Sequence, residues 1–333
     1  MLILSPCKYH CLKGIMIMSN RLYEMYKVDS EIHKIIHKLD YLFLSASISQ
    51  RCYRGVEVLS QYKDFIKKIF VLDYKKFRPS QFEDIYYKYR NFDQLNLVMC
   101  EKDDDDVLKI NQINIDSNVE IGIDITGFSI PDLFRIIYVL KELKNVHNIH
   151  IFYTEPKHYY FKDGLFSTYE SLVGERTHTP IPEYFTSGRY DKETLVLFLG
   201  FDRMVSKYVH ERVVPTDVVA INGFPSYMPK MKDISLINNY ELLSTIGNEN
   251  IFYTNANNPF SAYNTLCDIK NKFSDSLLNI CVLGTKPMAL GACLFSIDNK
   301  NSVKVTYPYP NEYNISASEE SACLWYYKIS FKD

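Results

Sequence analysis

Short apolar runs alternate with longer amphipathic stretches along most of this chain, and that rhythm constrains the fold more than any other feature. A strand buried on both faces reads as a near-continuous apolar run, while the connecting helices carry apolar residues at three and four spacing. The pattern therefore predicts parallel sheets flanked by helices. Residues 20–39 are expected to form a helix, with Leu22, Met25, Ile32, Ile35, Ile36 and Leu39 on mixed three and four spacing. Strands are expected over 41–45, 69–72 and 95–99, separated by helices over 51–62 and 79–89. These make one β-α-β-α-β lobe.

A second series follows a connector at 107–118. Strands are expected over 119–125, 149–153, 195–199, 218–221, 251–253, 277–283 and 303–307. Helices are expected from Pro131, over 204–212, near 236–243, over 259–273 and over 287–295. Residues 324–331 alternate and read as an edge strand, antiparallel or joined to the first lobe. Between 155 and 193 the rhythm lapses, as in an insertion or functional loop. The expected division is thus 1–117 for the first lobe with its N-terminal helix, and 118–333 for a larger lobe interrupted around 155–193.

With 333 residues, 47% hydrophobic and 23% charged, the chain can bury a real core, and its length suits about two domains. The 38 Lys and Arg against 40 Asp and Glu leave a formal charge of −2, which excludes global attraction to a polyphosphate backbone. Any phosphate must be held locally. No apolar run is long enough to span a bilayer, and Lys8, His10 and Lys13 interrupt the first 18 residues, so no membrane contact and no secretory leader are expected. The cysteines sit mostly inside apolar runs, as reduced core residues of a cytoplasmic protein would. Cys7, His10 and Cys11 lack a second ligand pair, and Asp103 to Asp106 read as a solvated loop, so neither a metal nor a cofactor is expected. The 27 Tyr and 20 Phe beside only 12 Gly form a surplus that composition alone does not explain.

In open α/β sheets ligands bind beyond the carboxyl ends of the strands, where helix N-termini expose backbone N–H groups. The expected strand ends are small, polar or charged. They read Ser45-Ala-Ser, Asp124-Ile-Thr-Gly127, Thr154-Glu155-Pro156, Gly200-Phe-Asp-Arg203, Asn222-Gly-Phe-Pro225, Thr254-Asn-Ala-Asn257 and Gly284-Thr-Lys-Pro287. Gly284, Thr285 and Lys286 form the strongest element: a close-approach glycine, a hydroxyl donor and a point charge at a helix start. The Walker frame is absent.

The run Asn279-Ile-Cys-Val-Leu-Gly-Thr-Lys-Pro-Met288 resembles the G-T-K-x-M strand-turn-helix signature of CRISPR-associated Rossmann-fold (CARF) sensor domains, with Val282-Leu283 standing where that family usually has Thr-Gly. Asp124-Ile-Thr-Gly127 is similar to the family's other polar loop. The resemblance covers about 119 to 310 and leaves the first lobe outside it. The pattern gives two Rossmann-like lobes; the resemblance implies a bacterial antiviral sensor or accessory protein that binds a cyclic or linear oligonucleotide. In that reading Gly284, Thr285 and Lys286 hold a phosphate while Asp124, Thr126 and Gly127 line the opposite wall.

Other groups admit two readings each. Gly200 and Asn222 lie at expected strand ends. Arg203 binds a phosphate or forms a structural ion pair. Tyr307 with Tyr309 and Tyr313 stacks a base or packs the rim. Arg51 and Arg54 with Tyr53 offer a phosphate site on the first helix. Asp124 and Glu155, on neighbouring strand ends, are the candidate acid and base for an enzyme that cleaves a nucleotide or nucleoside. A third class is a structural subunit of a defence complex, with protein partners or copies of itself and a vestigial pocket.

Overall fold

The computed structural model describes residues 14–18, 21–28, 36, 38–45, 51–60, 66–74, 95–100, 115, 119–143, 146–159, 169–171, 190–309, 312–313 and 318–331. Two mainly parallel sheets flanked by helices organise them, so the chain is a mixed α/β protein of Rossmann-like winding.

The first sheet holds eight strands: β1 (Gly14–Met18), β2 (Arg21–Lys27), β3 (Leu39–Ser45), β4 (Ile66–Tyr74), β5 (Leu95–Cys100), β6 (Glu120–Asp124), β7 (Asn148–Tyr159) and β15 (Ser318–Ser330). Their spatial order is β1-β2-β15-β7-β6-β3-β4-β5. Strands β3 to β7 are parallel, in the doubly wound order in which the first and fourth strands of the unit lie side by side. Strand β15 then pairs antiparallel with β7, and β2 with β15. The second sheet is β9 (Glu193–Phe198), β10 (Asp217–Gly223), β11 (Ile251–Thr254), β12 (Leu277–Val282) and β13 (Val303–Val305). Its order, β11-β10-β9-β12-β13, repeats the same winding with every pair parallel. A small ribbon pairs β8 (Tyr169–Ser171) with β14 (Glu312–Tyr313).

The helices are α1 (Arg51–Ser60), α2 (Ile130–Glu142), α3 (Arg203–Val213), α4 (Met231–Asn238), α5 (Tyr240–Leu243), α6 (Pro259–Lys272) and α7 (Lys286–Asp298). Local chemistry sets their starts. Ser129, Asp202, Asn258 and Thr285 cap α2, α3, α6 and α7 through side-chain oxygens, and Pro stands in the first turn of α2, α6 and α7. Helix α7, Ala- and Leu-rich, is buried along most of its length between α2, α6 and the second sheet. One hydrophobic core runs from Tyr41, Ile121, Ile151 and Tyr327 of the first sheet through α2 to Val196, Ile280 and α7 of the second.

Three expectations change. Residues 21–27 form β2, not part of a helix: ladders to β1 and β15 on both sides override the helical spacing. The boundary at 117/118 does not divide the sheets, because β6 and β7 pair onto β3 and β15 returns to the same sheet. The second sheet begins at Glu193. Strand β7 does not end at 153 but continues to Tyr159, paired with β15 by a ladder that shifts register between Ser321 and Leu324. The expected helix over 79–89 and the acidic run Asp103 to Asp106 lie outside the described residues.

Candidate functional site

The carboxyl edge of the second sheet faces the first sheet. Its turns are met one by one. Phe201, after β9, packs edge-on against Tyr159 of β7 with ring centroids 5.2 Å apart. Tyr227, after β10, donates to the Tyr153 hydroxyl at 3.1 Å. The Asn257 carbonyl, after β11, accepts from the Tyr327 hydroxyl at 2.8 Å. Lys286, after β12, donates through Nζ to the Phe128 carbonyl in the turn between β6 and α2. Ligand-binding edges in such sheets are ordinarily open, so here the candidate site is the junction itself.

The G-T-K-x-M run has a physical logic in this junction. A Cβ at Gly284 would sit 2.9 Å from the Met288 sulfur and 3.4 Å from the Leu199 carbonyl, so a larger residue there would have to displace the Met288 side chain. Thr285 caps α7, accepting from the Met288 N–H, and its hydroxyl proton goes to the Ala256 carbonyl at 2.6 Å. That hydroxyl is therefore committed inside the protein, contrary to its expected role as a phosphate donor. Lys286 alone of the three projects a charge across the junction.

Its counterpart is Arg51, the first residue of α1. Arg51 Nη1 donates to the Thr154 carbonyl at 3.0 Å, and the guanidinium hydrogen-bonds Tyr153. Burial works against its charge, but the phenols of Tyr153 and Tyr159 and the Cys52 thiol outweigh it, and the pKa rises from an already high value. Burial, followed by repulsion from Arg51, pushes the Lys286 pKa down to about 8. Two half-buried cations are thus held near one another at the starts of two helices whose dipoles favour an anion. Tyr153, Tyr159, Tyr227 and Tyr327 are all pushed up by burial and stay neutral. Tyr153 and Tyr227 stack at 6.2 Å, and Tyr227 lies within hydrogen-bonding reach of the Thr285 side chain. Arg51, Tyr153, Tyr227 and Thr285 form a polar chain from α1 to α7.

Asp124 and Thr126 close the adjoining wall. Asp124 Oδ1 accepts from the Thr126 N–H at 2.9 Å, and Thr126 Oγ1 accepts from the Thr154 N–H at 2.9 Å, tying the ends of β6 and β7 together. Gly127 occupies the same turn, one residue before the carbonyl that Lys286 reaches. Burial is the main cause that raises the Asp124 pKa to about 6; its bonds to Thr126 and the charge of Arg51 only partly oppose it. Asp124 Oδ2 abuts Gly55 of α1, where an added Cβ would collide with it.

The expected acid/base pair does not assemble. Asp124 is in register with Phe152 of β7, so it shares a face with Phe152 and Thr154. Glu155, one residue further, points to the other face, where its Oε2 accepts from Trp325 Nε1 at 2.8 Å. Other expected residues serve structure. Gly200 gives its carbonyl to Ser235 and Asn239, and a Cβ there would collide with the Leu283 carbonyl. Asn222 donates to the Lys232 carbonyl at 3.0 Å. Tyr307 is buried in the core against Tyr309, with no face left for a base. Arg203 is exposed on the first turn of α3, and its neighbour Asp202 caps that helix. Sequence reasoning singled out Arg51 without linking it to Lys286, and it missed Tyr153 and Tyr227; the Tyr surplus was the available signal.

Among the described residues no cluster of His, Cys, Asp or Glu is arranged to hold a metal, and no helix is long and apolar enough to cross a membrane. No protein-family model matches the sequence, and no curated protein matches it. Among solved structures, a phosphoethanolamine N-methyltransferase 1 from Haemonchus contortus, in complex with phosphoethanolamine and S-adenosylhomocysteine, aligns over 88% of each chain at 8% identity with a TM-score of 0.23. The α/β assignment rests on the strand order above.

Proposed function

We propose that this protein binds a phosphate-bearing ligand, a nucleotide or oligonucleotide, at the junction of its two windings, and acts as a sensor or accessory protein rather than as an acid/base catalyst. One observation carries the reading: Lys286 and Arg51, from opposite windings, lie half-buried and close enough to repel one another at the starts of α7 and α1. Two cations held close together away from bulk water repel one another, and a phosphate between them would offset that cost. A bacterial antiviral setting, with partners from a defence operon, is supported by the G-T-K-x-M resemblance alone.

Lys286 must leave the Phe128 carbonyl to engage the phosphate, so ligand binding is expected to alter the contact between α7 and the turn before α2. The test is thermal unfolding of the full chain with linear and cyclic oligonucleotides and mononucleotides. A rise in melting temperature for at least one of them is expected in the wild type and lost in Lys286→Ala. No shift with any of them sinks the proposal.

A further inference from the structure

Polar atoms that are buried without partners gather around α1 on the first-sheet side of the junction. Among the described residues, Asp124 Oδ2 and Thr154 Oγ1, which share a face of neighbouring strands, have no hydrogen-bond partner. Their side chains come from residues 2% and 0% exposed, at the end of β6 and two residues further along β7. Arg54 Nε, on the first turn of α1, is in the same condition. Strands β3 and β6 are the neighbours between which the winding reverses, the place where doubly wound sheets take ligands. Each such orphan costs about 1 to 3 kcal/mol, so a group of them in one place calls for a functional reason. The backbone around them is already satisfied: the Thr154 N–H goes to Thr126 and its carbonyl to Arg51, and Asp124 Oδ1 is taken by the Thr126 N–H.

We infer that these oxygens take the hydrogen-bond-donating half of the ligand, a nucleoside, so that the protein binds a nucleotide with its phosphate at Lys286 and Arg51 and its nucleoside at Asp124 and Thr154. The inference rests on the phosphate reading of the junction and names what the rest of that ligand must be. One of the two oxygens belongs to a hydroxyl, and the other to a carboxyl group held beside a guanidinium. A cation there would be repelled by Arg51, whereas the N–H and O–H groups of a base or ribose would satisfy both. Arg51, bonded to the Thr154 carbonyl, joins the two halves of the site.

The experiment is equilibrium binding to the full chain in EDTA, with inorganic phosphate and each ribonucleoside 5′-monophosphate as probes. It uses the wild type, the near-isosteric variants Asp124→Asn and Thr154→Val, and Lys286→Ala. In the wild type at least one nucleotide should bind about tenfold or more tighter than phosphate, a difference of about 1.4 kcal/mol. Asp124→Asn and Thr154→Val should each remove most of that gap while leaving phosphate affinity within about twofold, and Lys286→Ala should weaken both probes alike. Three outcomes would overturn the inference: phosphate binding with no nucleotide preference, a preference that survives in both isosteric variants, or one that appears only when Mg²⁺ is added. The first leaves the phosphate reading standing. Absence of binding by every probe removes both.

Discussion

The two windings share one strand order and differ at the point where each reverses. In the second sheet, β9 and β12 lead into Gly200 and Leu283, whose backbones touch, and the Gly200 carbonyl is saturated by Ser235 and Asn239. In the first sheet, β3 and β6 end at Ser45 and Asp124, and both keep a buried oxygen without a partner. Topology places a potential ligand site at both reversals. The second reversal is filled by backbone and leaves its orphan oxygen, Asn239 Oδ1, off the reversing strands, whereas at the first the orphan oxygens belong to the reversing strands themselves. The second winding instead contributes its charge, Lys286, to the first winding's side of the junction.

The sharpest way to break this contrast is to put a methyl group at each reversal. Gly200→Ala sets a Cβ against a backbone carbonyl, which moves only if β12 moves, so a loss of about 3 kcal/mol is expected, at the upper end for overpacking. Gly55→Ala sets a Cβ against a side-chain carboxylate that can rotate, and alanine is the better helix former by about 1 kcal/mol, so a far smaller change is expected. Urea unfolding of both variants checks this; equal losses would mean that the first reversal is as rigidly closed as the second.

The next effect follows from the charge state of Asp124. Its carboxyl has a folded-state pKa of about 6, against an ordinary value of 3.8. The folded protein therefore binds the proton more tightly than the unfolded chain. This group favours folding fully at low pH, and that advantage is lost as pH rises from about 4 through 6. A gap of about two units corresponds to roughly 2 to 3 kcal/mol. Asp124→Asn should accordingly stabilise the protein by about 2 kcal/mol at pH 7.5 and by little at pH 4. Stability measured against pH decides it: a variant curve parallel to that of the wild type would show that Asp124 is already solvated or paired. Stabilisation by loss of a buried acid, together with loss of nucleotide preference, is the pattern of a residue kept for binding rather than for folding.

Much of the architecture was legible because it is written in local periodicity. The apolar runs at 41–45, 119–125, 195–199 and 277–283 are strands with parallel neighbours, and Pro131, Pro259 and Pro287 mark helix starts as read. The errors are those of long-range pairing. Nothing within 21–27 announces that β15, some three hundred residues later, will pair with it, and nothing at 117 says that β6 will join β3. The site was half legible for the same reason. Gly284 to Lys286 and Asp124 to Gly127 carry local turn chemistry and do face each other through Lys286 and Phe128. Glu155 looked like a partner for Asp124 because strand ends were read as points; the side-chain alternation of a strand that runs on to Tyr159 sends it to the opposite face. Tyr153 and Tyr227 are separated by 74 residues and meet only after both sheets have formed.

The remaining tests weigh the links between the windings against a surface control. Tyr153→Phe removes the hydroxyl that accepts from Tyr227 and meets Arg51, leaving two buried donors short of a partner. A loss of about 1 to 2 kcal/mol is expected, together with weaker phosphate binding because Arg51 is no longer steadied. Arg203→Ala is the opposite case. Both Arg51 and Arg203 open a helix of their winding, but Arg203 faces solvent, whereas Arg51 is held against the Thr154 carbonyl. An exposed cation adds little to stability, so Arg203→Ala should change the unfolding free energy by less than about 0.5 kcal/mol. It should also leave the nucleotide-induced rise in melting temperature intact. A ligand response lost in Arg203→Ala but kept in Lys286→Ala would move the site from the junction to the outer end of the second sheet, and would reverse the contrast between the two windings.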